Sequence, residues 1–215
     1  SEMCIRDRFL TSSIITAIAS LGINKVKVYK KPIVGIITTG DELQEPGEDL
    51  KEGKIFNSNK AFLYTRLLEL GAEPRIFDIA KDSIEGIVSV VEKAEKECQI
   101  IISTGGVSVG EKDLVLRAVE SIGYRRLFWK ISMKPGSPMF SAVKNGVIYI
   151  GLSGTPVAAA TTFELTARRV IAKMLNCKDI DIRKVEGILQ DEFKKKSPKR
   201  RFLRVRVSEE LENKV

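Results

Sequence analysis

Four short stretches of the chain combine hydroxyls, glycines, carboxylates and lysines in ways that could do chemistry. Thr38-Thr39-Gly40-Asp41-Glu42-Leu43 follows the apolar run Ile33 to Ile37. Its carboxylates could hold a cation or a substrate hydroxyl, and Gly40 permits close backbone approach or a positive φ; a plain turn with solvent-facing acids is the alternative. Ser103-Thr104-Gly105-Gly106-Val107-Ser108-Val109-Gly110-Glu111-Lys112-Asp113 runs from a buried apolar segment into a helix. Backbone N–H groups of such a loop, with the helix start behind them, favour phosphate. Asp113 stands where that helix begins, as an N-cap or, beside a phosphate, as a Mg²⁺ ligand. The spacing is neither that of a P-loop nor that of a dinucleotide fingerprint. Lys130-Ile131-Ser132-Met133-Lys134-Pro135-Gly136-Ser137-Pro138 sets two lysines around a Pro-Gly turn, as point charges for an oxyanion or as solvated surface groups. Gly151-Leu152-Ser153-Gly154-Thr155-Pro156 is a further Gly/Pro turn, with Pro156 suited to the first turn of a helix.

What is missing narrows the chemistry. The 215 residues contain no histidine, which removes Ser-His and Cys-His nucleophile pairs and histidine metal sites. Any metal site must use oxygen ligands, which suits magnesium rather than zinc. Cys4, Cys98 and Cys177 are odd in number and far apart, so neither a disulfide framework nor a zinc site is expected, and a reducing cytoplasmic setting fits. No apolar stretch approaches the roughly 20 residues of a membrane span, and the run Ile14 to Ile23 lacks the marks of a secretory signal. The net charge of +8 is concentrated in residues 183–206. That segment reads as a solvated hairpin or a tail pairing with an acidic segment; with few interleaved aromatics it is a poor nucleic-acid binder.

The elements needed to position these loops are legible in the periodicity. A short helix over 10–21 and an alternating strand over Lys25 to Tyr29 precede a break at Lys31-Pro32. Continuous β-branched runs at Ile33–Ile37 and Ile100–Ser103 predict strands buried on both faces, with further strands over Arg75–Ile79 and Leu127–Ile131. Leu63, Leu67 and Leu70; Ile84, Ile87, Val88 and Val91 after a Ser83 cap; and Val115, Ala118, Val119 and Ile122 mark helical faces. Phe140–Val143 and Val147–Ile150 form a hairpin about Asn145-Gly146, and a last helix spans about Val157 to Leu175. Strands alternating with helices predict an α/β fold with a mostly parallel sheet. Ligands bind such sheets beyond the carboxyl ends of the strands, where all four loops lie.

In this order and spacing, TTGDEL, STGGVSVGEKD, KISMKPGSP and GLSGTP resemble the molybdopterin molybdotransferases, the MoeA type that includes the gephyrin E domain. The resemblance runs from about residue 10 to residue 206. It implies a three-layer α/β/α molybdopterin-binding domain over 31–181, an N-terminal stub over 1–30 whose first eight residues read as non-native or mis-joined, and the start of a small β-rich C-terminal domain over 182–215, with a strand at Phe202–Val207. The implied reaction inserts molybdate into adenylylated molybdopterin and releases AMP with Mg²⁺ present, in a homodimer, with contact to a molybdopterin adenylyltransferase allowed. Glu42, Asp113, Lys130 and Lys134 match residues important for activity, and Glu42 and Asp113 would hold Mg²⁺. Thr39, Gly40, Asp41 and Asp82, the cradle Gly105, Gly106, Ser108 and Gly110, and Ser137, Ser153, Gly154 and Pro156 would line the cofactor site. The chain departs from the family where GLSGTP replaces GLPGNP and where Ser137 replaces a frequent basic residue. Two other functions share this domain: molybdopterin adenylyl transfer, and non-catalytic molybdopterin binding.

Overall fold

The computed structural model describes residues 10–107 and 113–207. Its centre is a six-stranded sheet built from β1 (Ile33–Thr38), β4 (Glu73–Ile76), β5 (Ile100–Thr104), β6 (Arg125–Trp129), β8 (Phe140–Lys144) and β9 (Val147–Leu152), in the order β4-β1-β5-β9-β8-β6. The first four strands in that order are mutually parallel. β8 is antiparallel to β9, and β6 is antiparallel to β8. Two reversals restore the direction, so β6 ends at the same rim as β1, β5 and β9.

Period-two alternation divides the apolar residues between two helical layers. Ile37, Ile101 and Tyr149 face α3 (Ile84–Ala94) and α4 (Leu114–Ser121), meeting Ile87, Val91, Val115 and Val119. Val34, Ile36, Ile100, Ile102 and Ile150 face α2 (Ser58–Glu69), α5 (Pro156–Leu165) and α6 (Ala167–Met174), meeting Leu63, Leu67, Phe163 and Ile171. This is the expected α/β/α sandwich. The starts of α3 and α2 are capped: Ser83 Oγ accepts from Gly86 N–H at 3.0 Å, and Asn57 Oδ1 from Lys60 N–H at 3.3 Å. The remaining elements are α1 (Ser12–Ser20), a 3-10 turn at Lys178–Ile180 and four two-residue strands, β2 (Leu43–Gln44) paired with β3 (Ile55–Phe56), and β7 (Met133–Lys134) paired with β10 (Arg200–Arg201).

Several expectations require correction. Lys25–Tyr29 is exposed and forms no strand, because alternation yields a strand only where a neighbour offers backbone partners. For the same reason Phe202–Val207 is not a strand, and pairing is confined to Arg200–Arg201. The strand expected at Arg75–Ile79 begins earlier, at Glu73, and the one at Leu127–Ile131 is Arg125–Trp129, antiparallel to its neighbour. The last helix is two: Thr166 leaves helical geometry at φ −127° and its hydroxyl bonds back to Thr162 O. Among the described residues no helix is long and apolar enough to cross a membrane. Cys98 and Cys177 are buried free thiols, and burial pushes Cys98 up to about 11, which keeps it unreactive.

The α2–α5–α6 layer is tied by Glu164, which receives Arg66 Nε–H at 2.6 Å and Arg168 Nη1–H at 2.8 Å. Burial alone would raise its pKa, but the two guanidiniums outweigh it and hold the carboxyl below its ordinary range. A depressed carboxylate stabilises the fold above its unfolded pKa, and that stabilisation is lost as pH falls through the folded pKa. Glu164→Gln is therefore expected to cost about 1–2 kcal/mol at neutral pH, with the difference from the parent shrinking in acid. Denaturant unfolding of both proteins across pH checks this.

Candidate functional site

The carboxyl ends of β1 and β5 are locked edge to edge. Thr39 N–H donates to Thr104 O at 2.9 Å, and Thr39 bridges to Ala80 in the segment that follows β4. Gly105 N–H donates to Leu152 O at 3.3 Å, bringing in the end of β9. The loops touch here at backbone distance. A Cβ on Gly105 would lie 2.2 Å from Thr39 O, and one on Gly154 would lie 3.4 Å from Gly105 Cα. Asn59, in the first turn of α2, donates to Gly154 O at 2.7 Å. Thr39, Gly105, Gly106 and Gly154 thus meet at one point on the rim, as their loops predicted.

On the β4–β1 flank of this point lie the acids. Gly40 has φ +140°, and a Cβ there would stand 2.6 Å from Glu42 Oε2, so glycine allows the Glu42 carboxylate to fold back over the turn. Asp41, Glu42 and Asp82 are all exposed. Partial burial of its carboxyl, then the charges of Asp41 and Glu42, push Asp82 above its ordinary value, against a hydrogen bond from the Asp41 backbone. These three acids form one group.

On the opposite flank lie the lysines. The loop from Lys130 to Met139 closes on itself: Lys130 N–H donates to Met139 O at 2.8 Å, Ile131 N–H to Ser137 O at 3.0 Å, and Ser137 Oγ to Ile131 O at 2.8 Å. Its Pro-Gly turn sits on α5, where a Cβ on Gly136 would meet Thr162 Cγ2 at 2.3 Å. Phe140, the next residue after Met139, pairs with Gly151, which sets this loop beside the Ser153-Gly154 turn. Lys134 is exposed and half-buried Lys130 takes a left-handed backbone, φ +62°. The Lys130 ammonium lies 3.8 Å from the centroid of the Trp129 ring.

Asp113 belongs to the lysine flank, not to the acid group. It is only 3% exposed, and its Oδ1 caps α4 by accepting from Leu116 N–H at 3.2 Å, so the capping role holds. Its Oδ2 is buried with no hydrogen bond formed. Burial pushes the pKa of Asp113 up, opposed by Leu116 N–H, by the Trp129 indole and by the Lys130 charge. Glu42 and Asp113, expected together on one cation, therefore sit in different surroundings. Ser108 and Gly110 lie outside the described residues. Ser153 Oγ accepts from Thr155 N–H at 3.4 Å, and Pro156 opens α5.

Trp129, Tyr149 and Asn57 carry no functional mark in the sequence motifs. Trp129 Nε1 and Tyr149 OH, like Ser103 Oγ and Thr39 Oγ1, are buried without a formed hydrogen bond. Trp129 adjoins Lys130 and is the single tryptophan, a signal that could have been used. Asn57 donates to Thr38 Oγ1 and Glu45 Oε1, both at 3.0 Å, fixing the start of α2 to the end of β1. The basic segment is also partly explained: β10 lies along β7, and Lys199 Nζ donates to Ser137 Oγ at 2.9 Å. It turns back onto the lysine loop rather than standing off in solvent at that point.

Comparison with known proteins agrees with this geometry. Residues 35–173 match the family described as "Probable molybdopterin binding domain". The chain is 36% identical over 198 residues to the molybdopterin molybdenumtransferase of Bacillus subtilis strain 168, covering 92% of this chain and 46% of that protein. The corresponding protein of Staphylococcus epidermidis is 34% identical over 199 residues, covering 93% and 48%. Among solved structures, the molybdopterin biosynthesis moea protein from Pyrococcus horikosii superposes with a TM-score of 0.73 at 30% identity, over 79% of this chain and 42% of that one. The chain spans about half the length of the curated relatives it matches.

Proposed function

The chain belongs to the molybdopterin-binding domain family, in its MoeA-type branch, and from that premise we propose that it inserts molybdate into adenylylated molybdopterin with release of AMP. The observation that carries this reading is the polarity of the rim: exposed acids after β4 and β1, a glycine crossing at Thr39, Gly105 and Gly154, and lysines after β6. A pterin nucleotide carries phosphate, and its second substrate is an oxyanion. The backbone of Gly105 and Gly106 cradles phosphate, a role the sequence motif extends to Ser108 and Gly110 outside the described residues. Thr39, Gly40, Ser153, Gly154 and Pro156 line the floor. Lys130 and Lys134, with Ser137 between the loop strands, receive anionic charge, and a lysine suits this task as a compact cation.

Mg²⁺ fits the acid flank better than the lysine flank. Glu42, with Asp41 and Asp82 beside it, offers the like-charged oxygens a hard cation neutralises, whereas Asp113 is buried, caps α4 and already feels the Trp129 indole and the Lys130 charge. No three-ligand cage exists among the described residues. The ion would be shared with the phosphates of the ligand, as Mg²⁺ commonly is, and would supply charge neutralisation there. A cytoplasmic homodimer, able to receive its substrate from a molybdopterin adenylyltransferase, completes the proposal. In the complete protein, Glu42→Gln is expected to lower molybdate-dependent AMP release by roughly 100-fold or more. Chromatographic measurement of AMP decides it. Release at the parental rate would reject the role of Glu42, and pterin binding without any release by the parent protein would replace the enzyme reading by a binding module.

A further inference from the structure

Trp129 stands between two of the residues assigned above, and its surroundings are unusual on both sides. Its Nε1–H is buried with no hydrogen bond formed, and so is Asp113 Oδ2. The two are neighbours, and the indole N–H favours the charged form of Asp113. On its other side the ring face carries the Lys130 ammonium at 3.8 Å, a distance at which a cation is attracted to an indole. Lys130 reaches that position from a left-handed backbone, φ +62°. A lysine rarely adopts this conformation, which persists only where the surroundings impose it. Here they do: Lys130 N–H is held by Met139 O, and Trp129 is paired with Phe140 at the end of β6.

We infer that Trp129 is a positioning residue that couples Asp113 to Lys130, its N–H aiming the carboxylate and its ring face seating the ammonium. The inference rests on the reading of Asp113 and Lys130 as working residues of the site. An orphaned donor beside an orphaned acceptor, both buried, is costly unless something brings them together. A ligand that draws the Lys130 ammonium off the ring would let the indole move toward Oδ2. One flat side chain thereby links the seating of an anion to the orientation of an acid.

The two functions of the indole separate by substitution. Trp129→Phe keeps a ring face and removes the N–H; Trp129→Leu removes both. In the complete protein, Trp129→Phe is expected to lower kcat for AMP release at least 10-fold with the KM for molybdate within about twofold of the parent, and Trp129→Leu to raise that KM about 10-fold as well. Trp129→Phe should cause no further loss in an Asp113→Asn background, since it acts through that carboxylate. Because Trp129 is the only tryptophan, Lys130→Met should shift its emission without any ligand, a signal independent of turnover. Circular dichroism establishes that each variant is folded, and Trp129→Phe is conservative enough to serve if Trp129→Leu is not. Kinetic parity of Trp129→Phe with the parent, losses that add to those of Asp113→Asn, or unchanged emission in Lys130→Met would each overturn the inference. If Asp113→Asn itself retains full activity, the site reading fails first and the inference falls with it; if Asp113→Asn is inactive while Trp129→Phe is not impaired, only the inference fails.

Discussion

Asp113→Asn is expected to stop molybdate-dependent AMP release and, at neutral pH, to leave the domain more stable than the parent. The two effects share one cause. Asp113 is 3% exposed, and one of its oxygens has no hydrogen-bond partner. Burial is the largest influence on its pKa and pushes it up, against the opposing pull of Leu116 N–H, Trp129 and Lys130. A folded-state pKa above the unfolded value means that the native protein binds the proton more tightly. Stability is then fullest below the unfolded pKa and falls as pH rises through the raised value. At neutral pH the ionised carboxylate is a burden that asparagine removes, while asparagine caps a helix as well as aspartate does. A new amide N–H facing the indole donor limits the gain, so the expected stabilisation is about 1 kcal/mol, or roughly 2–4 °C in Tm. Below the carboxylate range both proteins carry a neutral group and the advantage should disappear. The expected loss of activity is larger, about 10²–10³-fold, as for removal of one charge aimed at a reacting ligand. Thermal unfolding at neutral and acid pH, beside an AMP-release assay, measures both. Undiminished release would reject the role of Asp113, and a lower Tm at neutral pH would show that its carboxylate is not strained.

The sheet was legible in the sequence wherever burial on both faces leaves a strong mark. Ile33–Ile37 and Ile100–Ser103 fall within a residue of β1 and β5 because runs of isoleucine and valine dominate both. The placement of the loops was legible too, since a parallel sheet fixes where its strands end. β6 tested this argument most severely: its residues are mostly exposed and its neighbour is antiparallel. It still reaches the shared rim, because the β8–β9 hairpin reverses the direction a second time. Alternation at Lys25–Tyr29 misled because a pattern in one segment says nothing of a partner strand. The division of α5 from α6 at Thr166 depends on a hydroxyl returning to the backbone, which apolar spacing does not encode. In the site, the residues that escaped notice are those whose partners are distant in sequence. Tyr149 sits in β9, beside β5, and reads as ordinary core. Lys199 gains meaning only when β10 folds back onto Ser137.

Gly105→Ala should do the most damage of any single methyl group added to the rim, and Gly123→Ala shows why. Both glycines have φ +93°, so both substitutions force alanine into a left-handed backbone, at a cost of about 1 kcal/mol. At Gly123 nothing lies within 4 Å of the added Cβ. At Gly105 the Cβ would stand 2.2 Å from Thr39 O and 2.8 Å from Thr39 Oγ1. Thr39 is 2% exposed, its N–H is bonded to Thr104 O, and it bridges to Ala80. It cannot yield without separating β1 from β5, and overpacking a rigid contact adds about 1–3 kcal/mol. The expected total at Gly105 is therefore about 2–4 kcal/mol, against about 1 kcal/mol at Gly123. Ligand binding should divide the pair more sharply. Parting the strand ends moves the acid flank from the lysine flank, so calorimetry should find AMP affinity lost at least 10-fold in Gly105→Ala and unchanged in Gly123→Ala. Equal stabilities for the two variants, or full AMP affinity in Gly105→Ala, would mean that the close crossing of Thr39 and Gly105 does not hold the two flanks in register.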